Sequence, residues 1–151
     1  MTKIEELKKK VKDTINQQEI NAWFDANVKS RDDWHDILQA AVDNEDNRIL
    51  KIILEALDAC KKVGIVKKDI VNELYENVFG KNKSKEDVVY KGTLLAVAIK
   101  NGKLAEDVIN LLVKLGVNVN TKNIYYITQL RSEVRYGAIK EGITISNLET
   151  A

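Results

Sequence analysis

The chain has no proline, one cysteine, one histidine and seven glycines among 151 residues. Without proline, helices can run uninterrupted and the few glycines act as punctuation. With Cys60 alone, no intramolecular disulfide can form, and a reducing, cytoplasmic compartment is the simplest expectation. With His35 alone, a Cys/His dyad would need that residue beside Cys60. Charge of one sign is missing too: 24 basic residues stand against 23 acidic ones, a net charge of +1. A nucleic-acid binder usually shows a strong basic excess, so nucleic acid is the less favoured partner. No apolar run approaches the ~20 residues that span a bilayer, so no membrane association is expected. Residues 1–13 alternate charge with sparse aliphatics and do not read as a secretory signal. There is no glycine-rich phosphate loop. Asp43, Glu45 and Asn47 alternate like a calcium loop, but Arg48 stands where the loop needs glycine. Asn82-Lys83-Ser84 matches a glycosylation acceptor, a triplet common by chance. The acidic pairs, such as Asp32-Asp33 and Glu106-Asp107, fall at loop ends and helix starts, where carboxylates favour the helix dipole. The expectation is no enzyme, no metal and no cofactor.

What is present is the composition of a globular chain, 44% hydrophobic and 31% charged, long enough for one core. Lysine outnumbers arginine 20 to 4, a bias that points to an AT-rich coding genome and a bacterial source. Helical spacing dominates. Ile4, Leu7, Val11 and Ile15 give one amphipathic face; Ile20, Trp23 and Phe24 suggest a second helix. Ile37, Leu38, Ala40 and Ala41 form a third, with Asp33 or Asp36 as N-cap. Ile49, Ile52, Ile53, Ala56, Cys60 and Val63 trace a longer helix stopped by Gly64, with Cys60 in its core face. Asp69 caps a helix carrying Ile70, Leu74 and Val78. Thr93 caps one ending near Gly102. Val108, Leu111, Leu112 and Leu115 make another, stopped by Gly116, and Thr128 opens the last. A succession of short helices implies helix-pair repeats and an all-α fold.

The run Thr93-Leu94-Leu95-Ala96-Val97-Ala98-Ile99-Lys100-Asn101-Gly102, followed by Val108 through Gly116 and on to Asn120, resembles a unit of the ankyrin-repeat family, whose signature is T-P-L-H-x-A in about 33 residues. Thr128-Gln129-Leu130 and Gly137 repeat Thr93-Leu94-Leu95 and Gly102 at an offset of 35. Ile37 and Ala40 match Leu95 and Ala98 further upstream. The signature proline is replaced by Asp36, Leu94 and Gln129, and the histidine by Leu38, Ala96 and Arg131. The resemblance implies a degenerate helix-pair solenoid: capping helices at 1–31, a repeat-like unit at 32–64, an inserted helix and loop at 65–92, the best-matching unit at 93–120, and a C-terminal capping unit at 121–151.

In such stacks, partners contact the loop before each inner helix and that helix's open face. Mapped here, the expected partner-binding residues are Trp34, Tyr90, Lys100, Asn101, Tyr125, Tyr126, Arg135 and Tyr136. Tyrosine, tryptophan and arginine are the usual anchors of protein interfaces. The expected function is a protein–protein interaction module, of the kind used by bacterial ankyrin-like effectors delivered into a host cell or by inhibitors of a partner protein. The alternative is a helical nucleic-acid-binding domain using lysine runs such as Lys8-Lys9-Lys10.

Overall fold

A computed structural model of the chain describes residues 2–81, 87–119 and 124–127. Those residues are mostly helical, as the spacing predicts. The helices are α1 (Lys3–Asp13), α2 (Gln17–Asn27), α3 (Arg31–Asp43), α4 (Asn47–Ala59), α5 (Lys67–Val71), α6 (Leu94–Asn101) and α7 (Ala105–Leu115). Short polar side chains start most of them, each accepting from an otherwise unpartnered N–H. Asn16 accepts from the Gln18 N–H at 2.8 Å, Asp46 from the Arg48 N–H at 2.8 Å and Thr93 from the Ala96 N–H at 3.4 Å. Ser30, not Asp33, caps α3. Ser30 and Asp33 form a reciprocal capping box. The Lys29 and Ser30 N–H groups donate to the Asp33 carboxylate and hold it below the ordinary aspartate range. Gly102 and Gly116, at φ of 73° and 96°, end α6 and α7 in a backbone region that other residues rarely adopt.

Two helical expectations are corrected. The helix from Ile49 stops at Ala59, where the backbone turns extended at Cys60, although the apolar period continues to Val63. Cys60 is therefore a half-buried cap at the edge of the core, and Val63, 96% exposed, lies outside the helix. The inserted helix is short, residues 67–71, and does not continue through Val78. Tyr75–Lys81 instead forms strand β1, paired antiparallel with β2 (Asp87–Gly92). Ile124–Ile127, expected as a loop, forms β3 on the far side of β2, so the sheet order is β1-β2-β3. The helix expected to open at Thr128 lies outside the described residues.

The buried side chains form one cluster, from Leu7 on α1 to Leu115 on α7. α3 lies against α4, α6 against α7, and α4 against α7, so the second helices of the two pairs adjoin. α4 contributes Ile49, Leu50, Ile53, Leu54, Ala56 and Leu57, and α7 contributes Val108, Leu112 and Leu115. Two asparagines join elements that are distant in sequence. Asn47, 3% exposed, uses both amide hydrogens, donating to the Ala98 and Lys103 carbonyls at 2.9 Å each. Asn72 donates to the Lys68 and Gly116 carbonyls and accepts from the Asn118 N–H at 2.6 Å. The Ala98 and Lys68 carbonyls, near helix C-termini, also accept from the cap N–H groups of Gly102 and Asn72, so the asparagines add a second donor there.

Candidate functional site

The hairpin is the first feature that could face a partner. Its seat on the helices is fixed by Gln39 of α3, whose amide donates to the Glu76 carbonyl at 2.7 Å and accepts from the Glu76 N–H at 2.9 Å. Lys91 lies opposite Glu76 and its ammonium is 3.7 Å from the Glu76 carboxylate. In the register that follows, Tyr90 stands between Asn77 and Tyr125, and Tyr126 stands opposite Val89. Three of the expected anchors, Tyr90, Tyr125 and Tyr126, are therefore neighbours on two paired strands, although 35 residues separate the first from the second.

The other expected anchors do not join them. Trp34 is 1% exposed and stacks on Phe24, ring centroids 5.4 Å apart and 6° from parallel. The cap at Ser30 places Trp34 inside α3 instead of on the loop before it. There it shares one face with Ile37, Leu38, Ala41 and Val42, the spacing i, i+3, i+4, i+7, i+8 of a core stripe. That spacing was readable in the sequence. Its indole N–H is buried with no hydrogen-bond partner among the described residues, so the ring serves packing alone. Lys100 and Asn101 lie at the opposite end of α6 from β2, about 12 Å along the helix at 1.5 Å per residue. Lys100 is exposed, with its ammonium 3.7 Å from the Glu45 carboxylate, while the Asn101 amide reaches the Asn47 side-chain oxygen at 3.5 Å. Asn101 thus supports the frame between α4 and α6. Arg135 and Tyr136 lie outside the described residues.

A polar cluster that the sequence reading missed is centred on Glu73. One carboxylate oxygen lies 2.6 Å from Arg31 Nε and the other 2.5 Å from His35 Nδ1. Glu73 raises the Arg31 guanidinium further above its already high value, through the hydrogen bond and then through charge. The His35 ring stacks on Tyr75 with centroids 4.6 Å apart. Tyr75 is fully buried and donates its hydroxyl to the Ile70 carbonyl at 2.9 Å. Burial raises the phenol pKa well above its ordinary value. With both Glu73 oxygens engaged, the cluster is a fastening between α3 and the start of β1. No sequence signal paired Glu73 with residues some 40 positions earlier. Among the described residues, no three His, Cys, Asp or Glu side chains converge as they would around a metal ion. No described helix is long and apolar enough to cross a membrane.

A further feature is a groove of about 590 Å³ between α1 and α4, lined by Val11, Ile49 and Ile52 with Lys8, Lys9, Lys12 and Arg48 beside them; Glu5 and Asp46 complete it. No family model, curated protein or solved structure matches the chain.

Proposed function

We propose that the chain is a protein–protein interaction module, a short ankyrin-like helix-pair protein whose partner meets the sheet through the cross-strand pair Tyr90 and Tyr125. The observation that carries this reading is the strand register. It places Tyr90 directly opposite Tyr125, a cross-strand pair of the residue type most suited to interface anchoring, while Tyr126 is at the alternate position opposite Val89. The order of elements supports the ankyrin-like part. A helix pair, a hairpin, a second helix pair and a further strand follow one another, with the second helices of the two pairs, α4 and α7, adjoining. The reading of an effector or an inhibitor rests on the family resemblance alone, and action within a cell's cytoplasm on the single cysteine. Affinity capture with the intact chain, compared with a Tyr90→Ala/Tyr125→Ala variant, tests the assignment. The expected result is a captured protein lost from the variant at unchanged melting temperature. Each important anchor contributes about 2 kcal/mol or more. Equal capture by the variant would sink the assignment. So would capture dominated by nucleic acid and abolished by moderate salt.

A further inference from the structure

We infer that the groove between α1 and α4 is a docking site for an acidic amphipathic helix of a partner protein. It is separate from the tyrosine-bearing sheet, and the inference stands whether or not that sheet binds anything. α1 packs on α2 and α3, while α4 packs on α2, α3 and α7, so the space between α1 and α4 stays open. Its volume, about 590 Å³, falls within the range of sites that enclose a ligand. Val11, Ile49 and Ile52 give it an apolar lining, and Val11 and Ile52 are only partly buried. Apolar surface of this kind suits aliphatic side chains, which a helix presents at i, i+3 and i+4.

Charge selects the sign of the partner. Lys8, Lys9, Lys12 and Arg48 line the groove against Glu5 and Asp46, a local excess of two positive charges on a chain whose net charge is only +1. The Asp46 carboxylate is already engaged, accepting from the Arg48 N–H and lying 3.5 Å from its guanidinium. The Lys8 ammonium hydrogen-bonds the Asn44 side chain. Lys9 and Lys12 are exposed, and no described carboxylate pairs with either. Lysines at i and i+4 on α1, Lys8 and Lys12, match carboxylates one turn apart on a second helix. Such complementary charges set orientation and raise the encounter rate more than they add affinity. A phosphate backbone would meet the lysines but would leave the apolar lining unused, so a helix fits the groove better.

The test uses the full chain, isotope-labelled, titrated with a synthetic helix carrying leucine at i, i+3, i+4 and i+7 and glutamate at the flanking positions. Saturable amide shifts are expected at residues 8–12 and 48–52. The Lys9→Glu/Lys12→Glu variant, altered only at exposed positions, should bind about tenfold more weakly with an unchanged melting temperature. A peptide with every glutamate replaced by lysine should not bind. The inference is overturned by an absence of saturable shifts in the groove, by indifference to the charge reversal, or by an oligothymidine strand taking the groove in preference to the acidic helix. None of these results bears on Tyr90, Tyr125 or Tyr126, which lie on strands outside the groove.

Discussion

Tyr75 shows how one buried side chain sets a limit on the whole fold. Its hydroxyl can donate to Ile70 only while protonated, and its folded-state pKa is raised by burial. In the unfolded chain a tyrosine titrates at about 10. Its stabilising contribution is therefore complete below that pH. Above it, the unfolded chain releases a proton that the folded chain retains, so stability falls by up to about 1.4 kcal/mol per pH unit from this residue. Tyr75→Phe should cost about 0.5–1.5 kcal/mol at neutral pH, the net worth of one hydrogen bond. The variant should also lose stability less steeply above pH ~10. Urea unfolding of both proteins at several alkaline pH values checks this, and parallel slopes would remove Tyr75 from the explanation. Trp34 teaches a different lesson at the same scale. Residue type suggested an interface anchor, but its spacing from Ile37, Leu38, Ala41 and Val42 already marked it as core. Position within the helical period outweighs residue identity, because the period decides which face a side chain occupies.

Among the elements, helices were legible and strands were not. α1, α3, α6 and α7 show their apolar faces within a dozen residues, and their caps are local in sequence. β1 and β3 carry no such local signal. Tyr75–Lys81 mixes charged, amide and apolar residues, and Leu74 and Val78 fit a helical spacing equally well. β3 is four residues long, and its pairing partner lies more than 30 residues away. The strand state of these segments depends on pairing, which no short window contains. The α1–α4 groove was hidden for a related reason: Lys8 and Ile52 belong to helices that meet only in three dimensions. The joint made by Asn47 also operates between elements. It links the start of α4 to the end of α6, and its removal takes the side-chain donor from the Lys103 carbonyl and leaves the Ala98 carbonyl with the Gly102 N–H alone. Asn47→Ala should destabilise by about 1–3 kcal/mol, the cost of a buried group left unpartnered. Thermal melting of the variant reads this directly. A change smaller than about 0.5 kcal/mol, the scale of ordinary surface substitutions, would show that water replaces the amide at no cost.

At the scale of the molecule, a single buried cluster runs from α1 to α7, so the described helices should unfold together. Both tryptophans report on α2 and α3, whereas Leu112 lies fully buried on α7. Leu112→Ala should cost about 2–5 kcal/mol. The tryptophan fluorescence midpoint should move as far as the midpoint read from helical circular dichroism. Separate movement of the two signals would divide the molecule into independently folding parts.

The Gln39 contact has a consequence for how copies of the chain behave towards one another. Among the described residues β1 has β2 on one side only, and an outer row of backbone groups of that kind can template a strand from another molecule, the usual first step of sheet-driven aggregation. At Glu76 both of those groups are already held by the Gln39 amide. A helix side chain thus closes the edge to strangers at Glu76, the point where the sheet leaves the helices.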